Sequence, residues 1–190
     1  MLSGEQAPGG ADAAESWIAQ RGEGRGIRVE LRQAAVAGPE VRDFLRQRGS
    51  AVVARRGELV DALARPAVVA TDAGVVTGVL TYDVVGDSCE ILTLHATRQW
   101  AGVGSAMVVM VAGLAAAAGC RSYWVVTTND NVDALRFYQR RGFRLTAVRC
   151  GAVDQSRRTV KPQIPVIGNY GIPIRDEIEL VQDLPRPSAI

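Results

Sequence analysis

Hydrophobic positions along the chain change period several times, and each change marks an element. "AVVAT" (67–71), "VVTGVLTYDV" (75–84) and "CEILTLHAT" (89–97) are dense in aliphatic and β-branched residues and are separated only by "DAG" and "GDS". That pattern predicts three consecutive antiparallel strands joined by tight turns. Upstream, "IRVEL" and "AVVARR" read as two more short strands, flanking a helix in "PEVRDFLRQRG" that has Pro39 near its start and Gly49 past its end. Downstream, a helix over Gly104–Ala118 is stopped by Gly119. "SYWVVTT" follows as a buried strand. "NDNVDALRFYQRRGF" is a second helix, capped by Asp130 or Asn131 and stopped by Gly142. "FRLTAV" and "DEIELVQDL" close the pattern as strands, the latter alternating at Ile178, Leu180 and Leu184. A long loop with prolines at 162, 165 and 173 lies between them.

This order predicts an α/β (α+β) fold, a mixed and mostly antiparallel sheet of six to seven strands flanked by helices. Residues 1–26 are rich in Gly, Ala and Glu and offer little to bury. They read as a flexible tail with at most one helical turn around Trp17. Residues 27–184 form a single domain, and 185–190 a short C-terminal tail. With 190 residues the chain is long enough for one substantial core and short for two.

Charge and cysteines narrow the classes. A formal charge of +2 from nearly balanced acids and bases argues against a nucleic-acid partner. The small basic clusters "RQRG", "RRG" and "SRR" read as solvated surface. Cys89, Cys120 and Cys150 lack metal-ligand or redox spacing, so no metal and no disulfide framework is expected. Reduced thiols and the lack of a signal-peptide pattern point to the cytoplasm. The run from Gln99 to Cys120 is interrupted by glycines and is too short in its helical part for a bilayer span, so no membrane partner is expected. That helix is apolar nearly all round. It is either covered on more than one side or left with an apolar outer face, which makes a homodimer worth testing.

The candidate chemistry starts at "RQWAGVGSAM" (98–107). A strand, a glycine turn and a helix start leave amide N–H groups pointing outward, beside the positive end of the helix dipole. Gly102 and Gly104 have no side chain to keep a phosphate away from those amides, although a plain tight turn needs glycines too. A P-loop requires Gly-Lys-Ser/Thr, and Ser105-Ala106-Met107 stand there instead. A dinucleotide fingerprint requires Gly or Ala at Met107.

Gln99, Gly102 and Gly104 match Q/R-x-x-G-x-G/A, and Asn131, Ala134, Phe137, Tyr138, Gly142 and Phe143 match N-x-x-A-x-x-F-Y-x-x-x-G-F. Carrying both motifs in this order, the stretch from Ala67 to Leu184 resembles the GNAT superfamily of N-acetyltransferases. The resemblance implies transfer of an acetyl group from acetyl-CoA, as co-substrate, to a primary amine of a small molecule or peptide. It implies that the strand edge at Leu92, Thr93 and Leu94 holds the pantetheine and thioester. The loop of Gln99, Trp100, Ala101, Gly102, Val103, Gly104 and Ser105 would take the pyrophosphate, with Asn131 beside the pantetheine arm. Family members often carry proline where Ala96 stands. Tyr138 is the implied general acid, since a phenol is protonated at neutral pH and can protonate the departing thiolate. Asn131 and Tyr138, seven residues apart, share a helix face. Two residues compete as general base, Glu90 and His95, and ordered water is a third route. Arg157, Arg158, Lys161 and Arg175 in the long loop are candidates for an anionic group on the acceptor. Two rivals remain: a non-catalytic acyl-CoA-binding module, and a domain whose glycine loop holds another phosphate ligand.

Overall fold

The computed structural model describes residues 17–19, 29–34, 38–97 and 101–184. In chain order the elements are β1 (Trp17–Ala19), β2 (Val29–Ala34), α1 (Pro39–Arg46), β3 (Val52–Arg55), β4 (Glu58–Asp61), β5 (Ala67–Asp72), β6 (Val75–Val85), β7 (Ser88–Ala96), α2 (Val103–Ala117), β8 (Ser122–Thr128), α3 (Val132–Gln139), β9 (Arg144–Arg149), α4 (Ala152–Thr159) and β10 (Glu177–Asp183). Among the described residues, eight strands form one sheet in the order β1-β2-β5-β6-β7-β8-β10-β9, and β3 and β4 pair separately as a small hairpin. All neighbours in the large sheet run antiparallel except β7 and β8, which α2 connects as a parallel pair. The mixed, mostly antiparallel sheet with flanking helices is the expected architecture.

Why β5 is apolar throughout Ala67, Val68, Val69 and Ala70 is clear from its two faces. Val68 and Ala70 enter the core under α2, together with Leu80, Ile91, Met107, Val111 and Leu180. Ala67 and Val69 enter a second core on the opposite face, against Val41, Phe44 and Leu45 of α1. A strand covered on both sides has no polar phase to show. α2 buries Val103, Met107, Val108, Val111 and Ala115 on one stripe, while Val109 is 72% exposed on the other. Its apolar outer face is therefore uncovered in the single chain.

Three expectations are corrected. Residues 17–19 are an edge strand paired with β2, not a helical turn. Residues 152–159 of the presumed loop are helix α4, which starts after Gly151 at a left-handed φ of 69°. "RRG" at 55–57 is the turn of the β3–β4 hairpin, with Arg56 and Gly57 at φ 51° and 79°. Its arginines are ion-paired rather than solvated, as described below.

Candidate active site

β7 carries a bulge. Thr81 pairs with Thr93 and Tyr82 with Ile91, so Leu92 has no opposite residue on β6. A bulge re-aims side chains and interrupts pairing, and both effects occur here. The parallel ladder with β8 runs only from Ser88↔Ser122 to Ile91↔Val125, although β7 continues to Ala96 and β8 to Thr128. Beyond Leu92 the two strands part. The β8-facing edge of β7 is left without a sheet partner among the described residues. A groove of about 1290 Å³ fills the gap. Leu92, Thr93 and Leu94 line it.

The bulge also resets parity. Cys89, Ile91 and Leu94 face the α2 core. Glu90 instead shares its face with Thr93, whose hydroxyl bonds that of Thr81 at 2.7 Å, and with His95. Strict alternation would have put Glu90 on the side of Leu94; the extra residue reverses that.

At one end of the groove stands the start of α2. Gly102 caps the helix at φ 85°, a conformation only glycine adopts at no steric cost. The helix ladder opens with Ala106 N–H donating to the Gly102 carbonyl at 3.0 Å, so the N–H groups of Val103, Gly104 and Ser105 have no acceptor within the helix. A Cβ on Gly104 would lie 3.3 Å from both Cε2 and Cζ of Phe137. The bareness of Gly104 thus serves the α2–α3 contact as well as any ligand. Gly104 and Ser105 line the groove, whereas the Val103 side chain is buried in the core and Ala101 packs against it. Only their backbone can serve a ligand. Gln99 and Trp100 lie outside the described residues. Arg141, absent from the sequence reading, reaches this point: its guanidinium lies 3.5 Å from the Phe137 ring centroid and donates to Ser105 Oγ and to the Phe137 carbonyl.

α3 forms one wall. Asn131 Oδ1 accepts from Ala134 N–H at 3.2 Å, capping the helix, and Asn131 lines the groove. Tyr138 does so too, with its ring packed edge-on to Phe137 and Phe143 at centroid distances of 5.1 Å. It is both a core aromatic and a groove residue. Burial pushes its phenol pKa up, so the group is a proton donor at any physiological pH.

The opposite end belongs to residues that sequence patterning could not join. Arg55, at the end of β3, grips Glu90 with two bonds, Nε–Oε1 at 2.7 Å and Nη2–Oε2 at 2.8 Å. Burial raises the Glu90 carboxyl pKa, and Arg55 opposes that shift. Arg56 N–H donates to both oxygens of the buried Glu177, at 3.1 and 3.0 Å, and its guanidinium pairs with Glu179 while lying 4.1 Å from the Trp124 ring centroid. The hairpin turn is therefore anchored by carboxylates from β7 and β10. His95 Nε2 lies 2.8 Å from Ser50 Oγ. Burial, and then the charge of Arg48, lower its pKa from 6.5, so the imidazole is neutral at pH 7. Of the loop's basic residues only Lys161 lines the groove. Arg157 is spent on the carbonyls of Ile164, Pro165 and Ile174 and on Asp154. Arg158 and Arg175 are exposed.

Among the described residues no cluster of His, Cys, Asp or Glu has metal-holding geometry, and no helix is long and apolar enough to cross a membrane.

A model of the acetyltransferase (GNAT) family matches residues 39–143. Over 107 residues the chain is 42% identical to the uncharacterized protein YdhI of Bacillus subtilis (strain 168). That alignment covers 56% of this chain and 66% of YdhI, just under two thirds of the relative. Among solved structures, the IAA acetyltransferase from Bacillus cereus superposes with a TM-score of 0.63 at 22% identity, covering 82% of this chain and 99% of that one. A GNAT family acetyltransferase from Elizabethkingia anophelis, solved with acetyl-CoA bound, superposes with a TM-score of 0.59 at 18% identity, covering 82% and 98%.

Proposed function

Since the chain belongs to the acetyltransferase (GNAT) family, we propose that it moves the acetyl group of acetyl-CoA directly onto a primary amine seated at the Glu90 end of the groove. The observation that carries this reading is the parting of β7 and β8 at the Leu92 bulge. It opens a strand edge between an amide-rich helix start and a buried tyrosine. An extended, amide-bearing arm adds to such an edge as a strand does, so Leu92, Thr93 and Leu94 would hold the pantetheine. The free N–H groups of the first turn of α2, with the backbone of Ala101 and Gly102, suit the pyrophosphate. Arg141 adds positive charge beside Ser105, and Asn131 flanks the arm.

In the transfer, the amine nitrogen attacks the thioester carbonyl, the C–S bond breaks, and the departing thiolate takes the proton of the Tyr138 phenol. The proton lost by the amine needs an acceptor, and two observations favour His95 over Glu90. Both Glu90 oxygens are engaged by Arg55, whereas the His95 imidazole is held neutral and lines the groove. His95 acts on the amine directly or through water. Glu90 then serves to fix the hairpin.

The test is Tyr138→Phe. With acetyl-CoA and an amine panel followed by thiol release, kcat should fall on the order of 10²–10⁴-fold. The Kd for acetyl-CoA should hold, and so should stability, because the phenol makes no hydrogen bond among the described residues. Acetyl-CoA at a hundred times its Kd should stabilise the wild type by about 2.7 kcal/mol. Full activity in Tyr138→Phe removes the tyrosine from the chemistry. Binding without thiol release from any amine makes the protein an acyl-CoA-binding module instead.

A further inference from the structure

Four ionic side chains line the acceptor end: Glu90, Arg55, Glu177 and Lys161. Glu90 and Arg55 cancel one another through two hydrogen bonds. Among the described residues the other two have only backbone partners. Glu177, 2% exposed, accepts from the Arg56 N–H. Lys161 Nζ donates to the Val52 carbonyl at 2.6 Å and has no carboxylate partner among the described residues. A second polar group belongs to the same chain turn. Ser156 is 1% exposed, lines the groove, and its Oγ has no hydrogen-bond partner among the described residues. The backbone joins the two, because Lys161 N–H donates to the Ser156 carbonyl at 2.8 Å as the chain leaves α4.

A buried hydroxyl without a partner and a half-buried ammonium without a counter-charge are both costly unless a ligand completes them. Burial lowers the Lys161 pKa from its ordinary value, which is the effect a bound anion would relieve. The groove is thus lined by a carboxylate and an ammonium, neither with an ionic partner among the described residues, the complement of a molecule that carries an amine and a carboxylate.

We infer that the acceptor is an amino acid or a close analogue, its carboxylate received by Lys161 Nζ and Ser156 Oγ and its amine directed from the Glu177 side toward the parted strands. Val53, Val153, Ile164 and Ile174, which line the same end, suit an apolar side chain. This assignment of substrate class rests on the acetyl-transfer reading.

The experiment compares L-leucine, L-phenylalanine and β-alanine with their carboxamides. Two readouts are taken: thermal stabilisation of the full chain, with and without CoA, and thiol release with acetyl-CoA. Amino amides have the less basic amine, hence more of the neutral nucleophile, so a preference for acids runs against that bias. At least one acid should exceed its amide by about tenfold or more in kcat/KM, and should stabilise the protein where the amide does not. Lys161→Met should bring that ratio near one by raising KM for the acid, with the acetyl-CoA Kd and the rate on the amide unchanged. Lys161→Arg should keep the preference, and Ser156→Ala should lower it in part. Acids no better than amides in the binding readout, or a preference that survives Lys161→Met, overturns the inference whether or not acetyl-CoA binds. The absence of any acetyl-CoA shift would instead overturn the transfer reading by itself.

Discussion

At the Gly102 end of the groove the protein presents backbone: three amides of a helix start, a bare Gly104 against the Phe137 ring, and a strand edge unpaired among the described residues. At the Glu90 end it presents side chains. A hairpin turn is locked by carboxylates that lie 35 residues away at Glu90 and 121 away at Glu177. The first construction tolerates almost any side chain outside a few glycines and aromatics. The second depends on particular charges whose removal leaves a buried partner exposed to the full cost of desolvation. Under the proposed reading, the acetyl donor would meet the former and the amine acceptor the latter.

The largest expected effect breaks the second construction. Glu90 is 4% exposed, and Arg55 is its one salt-bridge partner among the described residues. Arg55→Met should destabilise the fold by about 3–5 kcal/mol, the usual result of stranding one member of a buried pair. Arg55→Met with Glu90→Leu should recover most of the loss, because removing both charges removes the desolvation penalty with them. Urea denaturation of the two variants measures the difference. A single variant as stable as wild type would mean that the hairpin is held by β3–β4 packing and the Glu177 contact alone.

Next in size is a break at the donor end. A Cβ at Gly104 meets Phe137 at 3.3 Å, and a branched side chain goes deeper. Gly104→Val should cost about 1–3 kcal/mol through overpacking. It should also weaken acetyl-CoA binding by more than its effect on stability accounts for, since the first turn of α2 would no longer be bare. Titration calorimetry beside thermal melts separates the two. Unchanged acetyl-CoA affinity would show that the donor does not approach this turn.

The same contrast explains what could be read from the chain. The donor end follows from spacing within one segment, so Gly102, Gly104, Asn131 and Tyr138 were legible as two motifs. All four can be followed in the structure, whereas residues 98–100 lie outside the described ones. The strands of the meander were legible because both of their cores are apolar. The acceptor end was not. The Leu92 bulge has no marker in "CEILTLHAT", yet it decides which side Glu90 faces. "RRG" is as consistent with a solvated cluster as with a hairpin turn, and only the approach of Glu90, Glu177 and Glu179 makes it the latter. Helix α4 hides behind a polar sequence, because just Val153 and Ser156 of its eight residues are buried. A Gly at 151 just before an Asp-containing segment was the one available hint.

The smallest expected effect sharpens the comparison at the point where the two ends meet. His95 sits on the shared strand β7, bonded to Ser50 and facing the charge of Arg48, which itself donates to the Phe44 carbonyl. Burial and that charge place its folded pKa below the 6.5 of a free imidazole. Between the folded value and 6.5 the unfolded chain binds a proton that the native state refuses, so stability rises with pH across that window. The contribution is complete above 6.5 and is lost as pH falls through the folded pKa. Denaturation of wild type and His95→Gln from pH 7.5 to pH 5 should therefore show wild type losing stability on acidification relative to the variant. The same substitution should flatten the acidic limb of kcat/KM if the imidazole accepts the amine proton. A stability difference with an unchanged rate profile would confine His95 to bracing α1 and β3 against the sheet, and would pass the proton to water.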